Sequence, residues 1–333
     1  MKILVTGAAG YIGGTFAYEA LKKGFKVSGI DSFINSSDAT PVLLKENFNE
    51  LWNFSNFDLA TDSTKLEKLF QREKPDIVVH FAGLKAVEES EEKPFMYWKN
   101  NLLSSLNILS CMTKYNVTNL IFSSSATVYG DSKEQPVTEN HEIKSISTYG
   151  STKIAIEQLI KDFSKKNTIN AVSLRYFNPV GSHSERIIYE NPYDYPNNLM
   201  PRIIRVALGI DKEIKIYGKN YKTADGTGER DYIHISDLID GHFSSIDFLN
   251  KNTGCYSFNI GTGKPTSVIK LIEAFEDQND IKIPFSFSER RKGDVERCYA
   301  DPRLAEKQLG WKAQLGIEEM CKSAWEAVKD GPN

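Results

Sequence analysis

Lys2-Ile-Leu-Val-Thr-Gly-Ala-Ala-Gly10-Tyr-Ile-Gly-Gly14, followed by a helical run to Gly24 and then Lys26-Val-Ser-Gly-Ile-Asp31, is the stretch that decides the fold. Residues 2–6 form a short apolar run that predicts a buried strand, 11–23 a helix stopped by Gly24, and 26–30 a second strand. Gly7, Gly10 and Gly13 recur at spacings of three between that strand and that helix. The three glycines serve different ends. Gly7 permits a tight turn, Gly10 lets backbone approach a pyrophosphate, and Gly13 allows close helix–sheet packing. The helix N-terminus adds partial positive charge for the phosphates. Asp31 closes the second strand 18 residues after Gly13, where an acid accepts hydrogen bonds from ribose hydroxyls and repels a 2′-phosphate. The cofactor expected is therefore NAD rather than NADP.

Working outward, strand-like runs recur at 76–81, 119–123 and 171–175, with helical patterns near 64–73, 95–115 and 150–164. Alternation of this kind predicts an α/β protein with a doubly wound parallel sheet. Ile77-Val78-Val79 is apolar without alternation, as in a strand covered on both faces. After about residue 177 the pattern changes. Residues 182–198 and 219–230 read as long loops, and such loops in a compact protein are usually functional. A smaller ligand-covering region is expected there, with no linker marking its start.

The composition narrows the class of partner. Among 333 residues, charged side chains are 26% and nearly balanced, for a net charge of -3. Nucleic acid as main partner needs a basic surplus that is missing. The four cysteines, Cys111, Cys255, Cys298 and Cys321, stand far apart, and the five histidines are equally scattered, so no metal site is expected. No charged-then-apolar signal segment precedes the first strand, and apolar runs fall well short of the ~18 residues of a membrane span. The expectation is a cytoplasmic protein.

Ser147-Thr-Tyr149-Gly-Ser-Thr-Lys153 places a tyrosine and a lysine at i and i+4, on one helix face. A tyrosine acting as base near neutral pH must lose about three pKa units, roughly 4 kcal/mol. An ammonium and a positive nicotinamide ring both favour the phenolate. Ser123-Ser-Ser125 directly follows an apolar strand, and sites in open α/β sheets lie at the carboxyl ends of strands. A serine there can bond a substrate hydroxyl and relay its proton to Tyr149.

Thr6–Gly13 with Tyr149 and Lys153 resembles the extended short-chain dehydrogenase/reductase family, whose fold is Rossmann-like with a smaller C-terminal α/β substrate-binding domain. More narrowly, the chain resembles the UDP-hexose (UDP-galactose/UDP-N-acetylglucosamine) 4-epimerases. The matching stretches are His80-Phe-Ala-Gly-Leu-Lys-Ala86, Phe122-Ser-Ser-Ser-Ala-Thr-Val-Tyr-Gly-Asp131, Leu174-Arg-Tyr-Phe-Asn-Pro-Val-Gly181, Pro196-Asn-Asn-Leu-Met-Pro201, Asp225-Gly-Thr-Gly-Glu-Arg-Asp-Tyr-Ile-His234 and Arg290-Arg-Lys-Gly-Asp294. They run nearly end to end.

The resemblance implies an NAD-binding domain over 1–177 with a return segment near 231–262, and a substrate-binding region over 178–230 and 263–333. It implies that Tyr11 and Ile12 touch the pyrophosphate, that Asp31, Ser32, Asn35 and Ser36 surround the adenosine ribose, and that Asp58 and Leu59 meet the adenine. Phe81, Ala82, Gly83, Lys85, Asn100 and Phe177 would line the rest of the dinucleotide. Ser125, Tyr149 and Lys153 would be the catalytic set, the first two also touching the sugar. Asn178, Asn198, Leu199, Arg230, Arg291 and Asp294 would hold the nucleotide sugar, with the backbone of Lys215, Ile216 and Tyr217 at the uracil. Arginine suits a diphosphate because guanidinium pairs bidentately with its oxygens. Members of the family are often homodimers, with the helices near 95–115 and 150–164 as the expected contact.

The reaction implied is inversion at the sugar C4 through a 4-keto intermediate, with bound NAD. A 4,6-dehydratase on the same fold needs an acid/base pair where this chain has Ala126-Thr127, and neither can move protons in that way. A sugar reductase and a non-catalytic NAD sensor are the remaining rivals. Cys298 occupies a position that borders the sugar 2-substituent in the family. A small residue there leaves room for an N-acetyl group, so UDP-GlcNAc/UDP-GalNAc turnover is expected beside the plain hexoses, the alternative being UDP-glucose/UDP-galactose alone. Tyr189, Tyr193 and Tyr195 replace a more Gly-rich stretch of the commoner family pattern and put the shape of the sugar pocket in doubt.

Overall fold

The computed structural model describes residues 1–165, 169–192, 195–291 and 293–330. Tyr193 and Lys292, both named above, lie outside the described residues. The chain divides into two compact units: Met1–Gly130 with Ile143–Arg175 and His242–Phe258, and Asp131–Glu142 with Tyr176–Gly241 and Asn259–Asn333.

The first unit is built on strands β1 (Lys2–Thr6), β2 (Lys26–Asp31), β3 (Trp52–Asn56), β4 (Ile77–His80), β5 (Asn119–Ser125) and β6 (Asn170–Tyr176). With the strand Cys255–Ile260 on one edge, the sheet runs Cys255–Ile260, β6, β5, β4, β1, β2, β3. The pairings from β3 to β5 are all parallel. The chain order reverses between β1 and β4, and that switch point opens a crevice at the strands' carboxyl ends. Helices α1 (Tyr11–Lys22), α2 (Ala39–Asn47), α3 (Ser63–Glu73), α4 (Val87–Glu92), α5 (Pro94–Lys114) and α6 (Thr148–Ser164) connect the strands. A core of Leu4, Ile30, Leu66, Phe70, Val78, Ile108, Met112, Phe122 and Ile156 joins the central strands to α3, α5 and α6.

Three elements of this unit were not expected, each for a local reason. In α2 only Pro41 and Leu44 are buried, so no apolar stripe marks the helix. β3 is an edge strand with Trp52 its one fully buried side chain. Short, acidic α4 buries only Ser90.

In the second unit, β7 (Asn178–Val180) and β9 (Glu229–His234) pair in parallel, and β9 also takes Pro265–Ser267 antiparallel and Arg297–Cys298 parallel. Between them in the chain, β8 (Ile214–Tyr217) pairs with Phe285–Ser288. Helix α7 (Leu199–Ala207) contributes Ile203 and Val206 to a separate core with Ile214, Leu271, Phe275 and Met320. The loop expected over 219–230 ends two residues early, because Glu229 and Arg230 belong to β9. Residues 182–192 and 195–198 hold no helix or strand, only a bridge between Ser182 and Tyr189. Among the described residues, no helix is long and apolar enough to cross a membrane.

Packing is close under the first turn of α1. A Cβ on Gly13 would stand 2.2 Å from the Gly7 carbonyl oxygen, a backbone atom that cannot swing away. Gly13→Ala is expected to cost about 1–3 kcal/mol, the usual range for forced overpacking. The check is a lowered thermal midpoint with secondary structure otherwise intact.

Candidate active site

Gly7 takes a positive φ of 70°, and a Cβ there would lie 2.8 Å from the Ala82 nitrogen. The ends of β1 and β4 thus meet backbone to backbone at the switch point. The Ala82 N–H donates to Thr6 Oγ1 at 3.1 Å. Gly10 caps α1 without any side chain, so the helix N-terminus is presented bare of a capping oxygen. Asp31 is held by its own loop: Oδ2 accepts from the Ala9 N–H at 3.0 Å, and Oδ1 from the Phe33 N–H and the Ser36 hydroxyl, each at 3.0 Å. Gly7, Gly10, Tyr11, Ile12, Gly13, Asp31 and Ser36 therefore gather at one end of β1 and β2. Ser32 is half-buried there and Asn35 exposed.

Asp58 and Leu59 follow β3 one strand further out. The Asp58 carboxylate caps the turn through the Ala60 N–H at 2.8 Å, and the Leu59 carbonyl accepts from Asn107 at 2.7 Å. Phe81 packs on Phe16 and His242, with ring centroids 5.7 and 4.9 Å away. Ala82 and Gly83 continue from β4 at the crevice, Lys85 is exposed, and Asn100 is half-buried on α5. Phe177 is buried in the second unit, its N–H bonded to the Ile260 carbonyl at 3.3 Å.

The N-terminus of α6 is capped three times over. Glu91 accepts from the Thr148 N–H at 2.6 Å, Ser90 from Tyr149 at 3.1 Å, and Ser147 from Gly150 at 3.1 Å. The unexpected helix α4 thus has a use: it fixes the turn that carries Tyr149. That ring is buried against Leu84 and Tyr97. Ser125 ends β5, and its Oγ accepts from the Thr127 N–H at 3.2 Å and from Thr127 Oγ1 at 2.9 Å. With both lone pairs engaged, the Ser125 proton is directed to Tyr149, whose hydroxyl it meets. Lys153 donates to the Ser123 carbonyl at 2.7 Å, and its Nζ lies 5.7 Å from the Tyr149 ring centroid. The three residues singled out from spacing do converge.

Their electrostatics are governed by burial. Burial pushes the Tyr149 phenol up to about 12, and the Ser125 hydrogen bond only partly offsets this. Burial likewise draws the Lys153 amine down to about 8, although Glu157 raises it. Among the protein's own groups, burial therefore outweighs the Ser125 hydrogen bond at Tyr149, while Lys153 donates to the Ser123 carbonyl. His80 is fully buried between Thr6 and Ser105, and desolvation together with the Lys153 charge keeps its imidazole neutral, with a pKa down to about 3.

In the second unit the expected substrate residues form three groups. Register on β9 sets Arg230 opposite Cys298 and Tyr232 opposite Asn178. Tyr217 ends β8, and the Arg291 guanidinium covers its ring at 4.7 Å while pairing with Asp294 at 3.0 Å. Lys215 and Ile216 precede Tyr217 on the same strand. Asn198 caps α7 ahead of Leu199, its amide donating to Glu190 at 2.6 Å.

Sequence reasoning missed Tyr221 and Arg202. Tyr221 is buried among Arg230, Arg290, Arg291 and Asp294, with the Arg290 guanidinium 3.8 Å over its ring. Arg202 stands between Tyr195 and Tyr217, at 5.2 and 5.7 Å from their centroids, in the wall of a cavity of about 240 Å³ that Lys212 and Lys215 also line. Neither residue lies in a motif, so no spacing pointed to them. Among the described residues, no group of three His, Cys, Asp or Glu could hold a metal ion.

A family model described as GDP-mannose 4,6 dehydratase matches residues 4–324. UDP-glucose 4-epimerase 2 of Arabidopsis thaliana is 45% identical over 337 residues, covering 99% of this chain and 96% of the relative. A structure of the UDP-glucose 4-epimerase from Bifidobacterium longum in complex with NAD+ and UDP is similar at a TM-score of 0.95 and 42% identity, covering 100% and 99% of the two chains. The UDP-Glc/GlcNAc 4-epimerase of Campylobacter jejuni is similar at a TM-score of 0.85 and 31% identity, covering 99% of each.

The raised phenol is open to direct measurement. In protein stripped of nucleotide, an ultraviolet difference titration of wild type against Tyr149→Phe is expected to show no phenolate from this residue at its ordinary pKa of 10.0. Ionisation at or below that pH would show that burial does not control the group.

Proposed function

The chain belongs to the UDP-glucose 4-epimerase family, within the extended short-chain dehydrogenases/reductases, and on that premise we propose that it inverts C4 of a UDP-hexose with NAD as resident oxidant. The observation that carries this reading is the convergence of Ser125, Tyr149 and Lys153 at the carboxyl end of β5, in the unit that also bears the glycine cradle.

The residues fit the cofactor. Side chains are excluded at Gly7 and Gly13 by backbone, which leaves a turn that only main chain approaches. Asp31 faces the same loop with a carboxylate already oriented by Ala9, Phe33 and Ser36. In this reading Tyr11, Ile12, Phe81, Ala82 and Gly83 line the dinucleotide, and the first unit is the NAD-binding domain. The bound dinucleotide supplies the reversible oxidation at C4 and, when oxidised, a positive charge that favours the Tyr149 phenolate. Tyr149 takes the proton of the sugar 4-hydroxyl and later returns it. Ser125 donates its hydrogen bond to that phenolic oxygen throughout, and Thr127 keeps the serine turned that way. Lys153 holds positive charge beside the tyrosine.

The second unit is the substrate-binding domain. Arg230 and Arg291 neutralise the diphosphate, with Asn178, Asn198, Leu199 and Asp294 around them. Tyr217 and Lys215 meet the base beside the cavity that Arg202 lines. Firm contacts to the nucleotide with few to the hexose let a 4-keto sugar turn over without leaving. The dehydratase alternative lacks its acid/base pair: Ala126 has no polar side chain, and the Thr127 hydroxyl is committed to Ser125. Tyr149→Phe is expected to retain NAD and UDP while interconversion of UDP-glucose and UDP-galactose, assayed without added NAD, falls by at least ~100-fold. Full turnover in that variant would remove Tyr149 from the reaction.

For the sugar, Cys298 favours a pocket that admits a 2-N-acetyl group. It is a small, half-buried side chain opposite Arg230, and burial pushes its thiol up to about 11, so it stays neutral. We therefore favour activity on UDP-GlcNAc/UDP-GalNAc beside the plain hexoses. The names of the Arabidopsis and Bifidobacterium relatives favour the second reading, UDP-glucose and UDP-galactose alone. Cys298→Tyr is expected to abolish N-acetyl turnover and spare the plain hexoses. N-acetyl turnover that survives the change undiminished would dismiss the steric role. A homodimer is supported by exposed Phe95, Met96, Trp98 and Leu103 on α5.

A further inference from the structure

Behind Tyr149 and Lys153 lies a buried ion pair that the proposed chemistry does not use. Tyr149, Lys153 and Glu157 follow one another at successive turns of α6 and share one face of the helix. Glu157 Oε1 accepts from the Ser124 hydroxyl at 2.6 Å and from Arg175 Nε at 3.0 Å, and Oε2 from Arg175 NH2 at 2.7 Å. A third Arg175 nitrogen donates to the Tyr129 hydroxyl at 2.9 Å, in the short turn that follows Ser125. The two charged side chains are 2% and 3% exposed.

A fully buried ion pair adds little net stability over apolar residues of equal volume, so its presence calls for another use. Ser124 supplies one. It lies between Ser123, whose carbonyl binds Lys153, and Ser125, whose hydroxyl meets Tyr149. We propose that Glu157 is a positioning residue for the reacting groups: through Ser124 it fixes the end of β5 that carries both contacts, and its negative charge keeps the buried Lys153 an ammonium.

The groups that face Lys153 are few. Tyr149 and Glu157 lie on its own helix, the Phe122 ring and the Ser123 carbonyl on β5, His80 on β4, and Gly83 in the loop after β4. His80 is held neutral by burial and by Lys153 itself. Without the dinucleotide, burial keeps Tyr149 a phenol. Glu157 is then the negative charge among these groups, and it opposes the desolvation that draws Lys153 down. The sign follows directly. Loss of the carboxylate lowers Lys153 further, so its positive charge disappears at a lower pH.

This inference rests in part on the epimerase reading, and its test separates the two. NMR of isotope-labelled lysine ε-methylenes, with Lys153 assigned by its loss in Lys153→Arg, reports the amine directly. Glu157→Gln is expected to lower the Lys153 midpoint by about one pH unit. The alkaline limb of the pH profile for UDP-sugar turnover moves down with it, while KM is held. Because the single change removes the carboxylate that faces the buried Arg175 charge, the double variant Glu157→Gln/Arg175→Met, which removes both charges, is measured beside it and shifts in the same direction. A folded variant whose Lys153 titration superimposes on that of the wild type overturns the inference. So does a loss of turnover equal at every pH, the mark of packing alone. Failure of the wild type to interconvert UDP-sugars would overturn only the epimerase reading, since the NMR titration does not depend on turnover.

Discussion

Backbone meets backbone where β1 turns into α1, and much of the first unit is arranged around that contact. The Gly7 carbonyl lies under Gly13 on one side, and Ala82 closes on Gly7 from the other. The end of β1, the first turn of α1 and the distant segment after β4 are thereby brought together with no side chain between them. The approach fixes the stagger of β1 against β4, visible in the register Thr6↔His80, and sets α1 hard onto the sheet. It also forces the polar groups at the strand ends to satisfy one another. Ala82 donates to Thr6, whose hydroxyl oxygen lies 2.7 Å from His80 Nδ1. Ser105 gives its proton to the Asn101 carbonyl and so accepts from His80 Nε2–H, which leaves Nδ1 to accept from Thr6.

The same burial that makes the site dry works against its chemistry. It moves Tyr149 up and Lys153 and His80 down, always toward the uncharged form. Bringing a phenol at about 12 to a working value near 7 requires roughly 7 kcal/mol. The value of about 12 already reflects the Ser125 hydrogen bond, so the lowering has to come from positive charge near the phenol oxygen, which makes the charge state of Lys153 consequential.

The parts of this arrangement that were legible in the sequence are those encoded by spacing. The glycine triplet, Asp31 and the Tyr149/Lys153 pair announce themselves by interval, and strand–helix alternation predicts the parallel sheet. What was not legible depends on contacts between segments. Nothing in Ala126-Thr127 says that both donors of Thr127 point at Ser125, nor does the acidic run 87–92 reveal that Glu91 and Ser90 cap α6. Helical spacing puts Tyr149 and Lys153 on one face without saying which atom the ammonium will bind, and it binds the Ser123 carbonyl. Tyr221 and Arg202 stayed hidden for a similar cause: Tyr221 stands in an irregular segment without a period, and the helical period of α7 does not reveal which rings Arg202 meets.

Helix α6 finally acts as a ruler with three marks. An α-helix advances about 5.4 Å and one full turn in 3.6 residues, so residues 149, 153 and 157 stay in phase only while the count between them is kept. One residue inserted between Lys153 and Glu157 would rotate the carboxylate by about 100° about the helix axis and carry it away from Ser124 and Arg175. The segment can therefore tolerate exchange of its outward-facing side chains far more readily than any change in its length, and indels in this lineage should be confined to the loops that flank it.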